Sequence, residues 1–329
     1  MKFLKSFKEK IFSVNKNNFE FFALELFRFQ ARNNPVYKQY LDLLNVSVEK
    51  IRSLREIPFL PIDFFKRHKI ITGGSDDTLI FESSGTTSQS TSKNYIQDLH
   101  FYEETSRVNF ENIYGTLKDY HILALLPSYL ERNNSSLVYM VDHFIKKTGS
   151  KYSGFYLHNQ EELIETIGIL NKSNRKILLL GVSFALLDLA ENYKLDLSNV
   201  VVMETGGMKG RRKEMIREEL HALLKSSFGT KQIHSEYGMT ELTSQAYAPE
   251  HGKFLTPNWM RVILRDINDP FDLAQTKKNG GINVIDLGNV HSCAFIETQD
   301  IGVINNDNTF EILGRFDNSD VRGCNLMVL

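Results

Sequence analysis

The chain has 329 residues, 42% of them hydrophobic and 24% charged, with a formal net charge of -1. This composition excludes a disordered or low-complexity chain, and the balanced charge gives no electrostatic ground to expect nucleic acid. Two cysteines, Cys293 and Cys324, cannot by themselves build a disulfide framework or a zinc site, and they fit a reduced, cytoplasmic protein.

The basic stretch from Met1 to Lys16 contains phenylalanines, but Lys5, Lys8, Glu9 and Lys10 interrupt any apolar run, so a signal peptide is rejected. The apolar run from Ile177 to Ala190 is broken by Asp188 and falls short of the ~18 residues of a membrane span, which predicts a soluble protein. Phe19, Phe22, Leu26 and Phe29 form one helical stripe, with Tyr37, Tyr40 and Leu44 beyond Pro35. Two amphipathic helices broken near Asn33-Asn34-Pro35 are predicted, and a third over 47–54. Prolines make 57–62 extended. Phe64-Phe65-Lys66-Arg67-His68 then leads into a short strand at 78–81.

Residues 96–114 read as a helix. His121-Ile122-Leu123-Ala124-Leu125-Leu126 is a buried-strand run ended by Pro127. Further strands are predicted at 177–180 and 200–204, and a fourth begins at Gln232. Helices fall at 135–145 and 161–171, then from Gly181 through Tyr193, then at 213–224. Alternating strands and helices predict a parallel α/β sheet covered on both faces, with ligands beyond the C-terminal strand ends. From Lys253 the pattern changes to short strands, 261–264, 281–287, 294–297 and 310–313, predicting a more antiparallel β subdomain. The chain thus divides into a helical part (1–75), an α/β core (76–252) and a β-rich subdomain with a C-terminal tail (253–329).

Three constellations carry chemistry. The first is Ser83-Ser84-Gly85-Thr86-Thr87-Ser88, continuing through Gln89-Ser90-Thr91-Ser92 to Lys93. Each hydroxyl buried without a partner costs about 1–3 kcal/mol, so a packed core has no use for such a run. As a loop leaving a strand it fits a phosphate cradle of backbone N–H groups, hydroxyls and one lysine. The same composition also fits a solvated linker. It is not the nucleotide-hydrolase P-loop, whose Gly-Lys-[Ser/Thr] ending it lacks.

The second constellation is Tyr237-Gly238-Met239-Thr240-Glu241 after the fourth strand. Gly238 admits close approach of a ligand, Thr240 can bond a phosphate, Glu241 can hold Mg2+, and Tyr237 offers a flat face to a base. A surface turn entering a helix is the alternative. The third comprises Asp300, suited to ribose hydroxyls, and Gly314-Arg315-Phe316-Asp317, whose arginine suits a phosphate or ribose edge. Gly206-Gly207 gives close backbone approach to adenine or acyl group, or simply a turn with positive φ. His121 either lines an acyl pocket or is structural. Gly181-Val182-Ser183 is read as a helix start, not a nucleophile elbow.

Over roughly Ser83 to Gly323 these residues resemble the adenylate-forming superfamily, which activates a carboxylate with ATP to an acyl-AMP. The resemblance implies an α/β fold: the large N-terminal domain of parallel α/β sheets plus a smaller β-rich subdomain. It implies ATP and Mg2+ as cofactors. Ser83 to Ser88 and Lys93 would bind the β and γ phosphates. Tyr237 would stack near adenine, Thr240 would contact the α-phosphate, Glu241 would hold Mg2+ and Asp300 would bind ribose. Arg315 and Asp317 match the segment that hinges to a small C-terminal lid. Gln299 stands where the family has glycine, and the hydroxyl loop takes a longer route to its lysine. The sequence stops a dozen residues past the hinge position, so the lid is expected to be absent.

One branch, the acyl-protein synthetase of the bacterial bioluminescence fatty-acid reductase system, is similar at 57–68, at Glu204-Thr205-Gly206-Gly207-Met208-Lys209 and at Arg322-Gly323-Cys324. It implies a ligase that passes a fatty acyl group to a cysteine near the C-terminus, here Cys324, and on to a reductase partner or acyl-carrier protein. Two alternatives stand beside it: transfer to CoA, a carrier protein or a small nucleophile, and a non-catalytic nucleotide- or acyl-binding subunit. Cys293, in an apolar strand context, reads as a small buried hydrophobe.

Overall fold

The computed structural model describes residues 2–74, 79–83, 91–127, 131–132, 134–206, 215–273 and 279–316. It opens with α1 (Lys2–Lys10), α2 (Phe19–Asn33) and α3 (Pro35–Leu43). The predicted break between the last two is present: the Asn34 side chain accepts from Tyr37 N at 3.0 Å and Pro35 occupies the first turn. The helix expected at 47–54 is not. Two 3-10 turns, Val48–Lys50 and Leu54–Glu56, take its place, because Ser47 and Ser53 are both extended and Ser53 restarts the chain through a capping box with Glu56. What remains between the caps is too short to propagate a helix.

Next come β1 (Leu60–Pro61), α4 (Phe64–Arg67), β2 (Leu79–Glu82) and β3 (Lys93–Ile96). β2 and β3 form a hairpin flanking the hydroxyl loop, with Glu82 opposite Lys93. The helix expected from Ile96 therefore begins later, as α5 (Leu99–Tyr114), where Asp98 accepts from Phe101 N at 3.0 Å.

The central part runs β4 (Tyr120–Leu125), α6 (Ser136–Thr148), β5 (Gly154–Phe155), α7 (Gln160–Leu170), β6 (Lys176–Val182), α8 (Ser183–Asn192), β7 (Val200–Thr205), α9 (Arg217–Phe228), β8 (His234–Tyr237) and β9 (Ala246–Ala248). The expected parallel sheet is six-stranded, ordered β5-β4-β6-β7-β8-β9, and only β9 runs antiparallel. Its central strands are buried along almost their whole length, which is why they read as continuous apolar runs.

The final part is β10 (Met260–Arg265), β11 (Gly280–Asp286), β12 (Phe295–Ile304) and β13 (Phe310–Arg315), antiparallel as expected. Two features were not read from sequence. β1 joins this sheet in parallel to β12. β12 also runs on through Ile304, so Asp300 lies within the strand rather than after it, beside a register shift at Ile301/Gly302. The N-terminal helices share a core with this sheet: Phe27 meets Phe295 edge-on at 5.8 Å, and buried Gln30 bonds Asn289 O, Ser292 O and Ala294 N.

Candidate active site

The ends of β8 and β13 meet the middle of β12. At the end of β8, the Tyr237 hydroxyl donates to Asp300 Oδ2 at 2.7 Å, and Arg315 Nε lies 3.8 Å from the other oxygen. Asp300 and Arg315 are register partners across β12 and β13, so sheet geometry sets this pairing. The Tyr237 ring packs edge-on against Phe310 at 5.6 Å. Burial, reinforced by the Asp300 charge, raises the Tyr237 hydroxyl well above its ordinary range. Burial also raises Asp300, against the opposing hydroxyl and arginines.

The Thr240–Glu241 turn is gripped from two sides. Asn94 of β3 donates to Thr240 O at 2.9 Å, and Asn289 Nδ2 donates to Glu241 O at 2.9 Å. Glu241 is only 6% exposed, and its carboxyl is raised by burial despite the Ser92 hydroxyl and the charges of Arg315 and Lys66. The loop base is closed by Ser83: its N–H donates to Ser92 O at 3.0 Å and its hydroxyl accepts from Ser92 N at 2.9 Å. Ser84, Gly85, Thr86, Thr87 and Ser88 lie outside the described residues, as do Gly207, Asp317 and Cys324. Lys93 Nζ is 3.3 Å from Glu82 and nearly half exposed. Gly206 has φ +63° and its carbonyl accepts from the Ser183 hydroxyl at 2.5 Å, so that serine works within a turn.

Gly238 is required for space. An added Cβ would lie 2.4 Å from Glu236 Oε1, and Glu236 is buried with its other oxygen bonded to the Thr205 hydroxyl. Gly238→Ala is therefore expected to cost about 1–3 kcal/mol, as overpacking does, and to show as a lowered unfolding midpoint in denaturant. A midpoint equal to wild type would mean Glu236 yields freely.

The magnesium implied by the motif meets a suitable acid here. Among the described residues no group of three or more His, Cys, Asp or Glu could hold a metal ion. Mg2+ in nucleotide sites typically takes one or two carboxylates plus substrate phosphates and waters. A buried carboxylate bonded to the Ser92 hydroxyl, at the base of the hydroxyl loop, suits such a ligand, and Glu241 fits.

Several site residues gave no sequence signal. Asn94 and Asn289, outside every expected element, bond Thr240 O and Glu241 O, and Asp286, within the strand expected at 281–287, bonds Thr243 N and Ser244 N just beyond them. Glu204, at the end of β7, is buried too. Burial alone would raise it, but His221, Arg217 and Ser235 outweigh burial and hold it below the usual range. Arg217 Nε sits 3.2 Å from Glu204 while its guanidinium lies 5.0 Å over Phe254. His121 bonds Ser150 and Ser173 with its two ring nitrogens, at the opposite end of β4 from the site. Cys293 is fully buried, its thiol pushed up to about 12 by burial, in keeping with a packing role.

No protein-family model matches the sequence, and no curated protein matches it. Solved structures do match. ATP-bound MatB from Rhodopseudomonas palustris has TM-score 0.54 and 15% identity over 74% of this chain and 49% of its own. O-succinylbenzoate coenzyme A synthetase (MenE) from Bacillus subtilis, with AMP, has TM-score 0.51 and 17% identity over 74% and 63%. 2-Hydroxyisobutyryl-CoA ligase, in the postadenylation state with R3-HIB-AMP, has TM-score 0.66 and 10% identity over 94% and 70%. The chain spans about half the length of MatB. At these identities the likeness shows the fold alone, a mixed α/β architecture with a parallel sheet, as the sequence predicts.

Proposed function

We propose that the chain activates a carboxylic acid, in our reading a fatty acid, with MgATP to an acyl adenylate, and passes the acyl group to a protein thiol, Cys324 or one on a partner. The observation that carries this reading is the grip on Thr240–Glu241: the strand leaving the hydroxyl loop binds it through Asn94, next to the Tyr237–Asp300 pair. The ATP in MatB, the AMP in MenE and the R3-HIB-AMP in 2-hydroxyisobutyryl-CoA ligase, all solved structures of this fold, support it.

In the first step a carboxylate oxygen attacks the α-phosphorus. An acyl–O–P bond forms, the α–β P–O bond breaks, and pyrophosphate leaves with the electron pair. The protein's part is positioning and charge stabilisation. Lys93 and the hydroxyl loop hold the leaving phosphates, and Thr240 holds the α-phosphate. Asp300 and Tyr237 hold ribose and adenine, while Arg315 faces a phosphate or ribose edge. Mg2+ held by Glu241 would neutralise phosphate charge. In the second step a thiolate sulfur attacks the acyl carbonyl, an S–C bond forms and AMP leaves. An acyl-CoA-reductase-like enzyme or an acyl-carrier protein would then receive the group.

The test is intact-protein mass spectrometry after incubation with MgATP and a panel of fatty acids, with and without hydroxylamine. A hydroxylamine-labile acyl mass mapping to Cys324 is expected. Cys324→Ser is expected to keep pyrophosphate release and lose the stable adduct. An acyl thioester appearing only on added CoA or carrier protein would overturn the protein-thiol assignment.

A further inference from the structure

The buried cluster around Glu204 has no part in the reaction described above. Glu204 lies in the last turn of the path along β7, two residues before Gly206. One hydroxyl joins the two: Ser183 Oγ donates to Gly206 O at 2.5 Å and lies 3.3 Å from Glu204 Oε2. The other carboxylate oxygen faces Arg217 Nε at 3.2 Å.

Arg217 opens α9, an end where the helix dipole disfavours a cation, and Glu218 and Glu219 of the same turn supply the charge that end prefers. Helix formation therefore gives no reason for an arginine here. Its contacts give one. Besides facing Glu204, its Nη1 donates to Ile312 O of β13 at 3.4 Å, and its guanidinium lies 5.0 Å from the centre of the Phe254 ring. Phe254 packs against the Tyr237 ring at 5.8 Å and stacks at 5.3 Å with Phe310, the ring that meets Tyr237 edge-on. The arginine stem rests against Gly252, where φ is +66° and an added Cβ would come within 3.3 Å of Cδ. One guanidinium thus ties together the end of β7, the aromatic backing of Tyr237 and the strand that carries Arg315. A planar fork can serve a carboxylate, a carbonyl and a ring face at once, which an ammonium cannot.

We propose that Arg217 is a positioning residue for the nucleoside end of ATP: it holds Gly206 through Glu204 and Ser183, and the Tyr237 ring through Phe254, so that both meet adenosine in one fixed arrangement. The inference rests on the adenylation reading, and within it on Tyr237 and Gly206 facing the nucleoside. Arg217 itself touches no reacting atom. The nucleoside is held alike before and after the α–β bond breaks, so Arg217 contributes uniform binding, which shows in the KM for ATP and not in kcat.

The experiment compares wild type, Arg217→Lys and Ser183→Ala in ATP–pyrophosphate exchange, with AMP and ATP binding followed by calorimetry and folding by thermal melting. Arg217→Lys keeps a charge opposite Glu204 but loses the fork. It is expected to raise the KM for ATP and the Kd for AMP about tenfold, with kcat and the KM values for pyrophosphate and acid within about twofold of wild type. Ser183→Ala cuts the tie to Gly206 O without uncovering a charge, and is expected to show the same pattern at about threefold. Should Arg217→Lys not fold, Ser183→Ala decides by that pattern alone. A wild-type KM for ATP in the folded variants, a loss confined to kcat, or KM values for pyrophosphate and acid that rise as much as that for ATP would each overturn the inference while adenylation stands. A wild type that neither binds ATP nor exchanges pyrophosphate with any acid would overturn both.

Discussion

Glu241→Ala is expected to lower acid-dependent pyrophosphate exchange by about 10²–10³, the range seen when one preorganised charge stabiliser is removed from an active site. The turn carrying it is held through main-chain atoms, Thr240 O by Asn94 and Glu241 O by Asn289, so truncating the side chain leaves the local path intact. What is lost is the buried Glu241 carboxylate at the base of the hydroxyl loop. Exchange within a few-fold of wild type would sink the metal assignment.

The same carboxylate has a stability signature of opposite sign. Burial raises its pKa in the folded chain. A group with a higher pKa folded than unfolded stabilises the fold while protonated, and that contribution is lost as pH rises through the folded pKa. Once ionised, Glu241 therefore costs stability. Glu241→Gln should gain stability relative to wild type as denaturant melts are moved from acid toward neutral pH, while its activity falls. A residue that costs stability yet is needed for turnover belongs to the chemistry rather than to the core.

The parallel sheet was legible because its central strands are buried on both faces and so carry unbroken apolar runs, His121 to Leu126 being the clearest. The site loops were legible because glycine and hydroxyl residues follow those runs at their C-terminal ends. β3 was not: Lys93-Asn94-Tyr95-Ile96 has no strand signature of its own and is a strand because it pairs with β2. The second half of β12 was missed for a similar reason, since half-buried Gln299-Asp300-Ile301 begins with two polar residues, and Asp300 and Ile301 are extended by pairing with β13. Sequence proposed ligand contacts for Tyr237, Glu241, Asp300 and Arg315, and the fold assembles these four around one place. It could not supply the groups that hold them there. Asn94 and Thr240 are 146 positions apart, and Gln299 and Asp63 are 236 apart.

Asp286 is the strongest case of that kind. It is 0% exposed at the end of β11, and its carboxylate accepts four hydrogen bonds: Thr243 N at 3.0 Å, Ser244 N at 2.8 Å, Ser244 Oγ at 2.7 Å and Gly288 N at 2.9 Å. Burial raises its pKa against those bonds. All four partners are donors, the set an ionised carboxylate requires, and Trp259 Nε1 completes the network on Ser244 Oγ at 2.9 Å. Asp286→Ala removes the acceptor and leaves three buried backbone N–H groups short of it, of which only Thr243 N keeps another partner, Asn289 Oδ1 at 2.8 Å. The expected cost is about 3–5 kcal/mol, read as a shift in the unfolding midpoint, because deserted buried donors carry their full desolvation penalty. Asp286→Asn keeps the size of the side chain but turns an N–H2 toward donors, so it should recover only part of the loss. Because Thr243 and Ser244 follow the Thr240–Glu241 turn after one residue, Leu242, material that remains folded should also exchange pyrophosphate more slowly. If Asp286→Ala melts within about 1 kcal/mol of wild type, the network does not brace the turn as described.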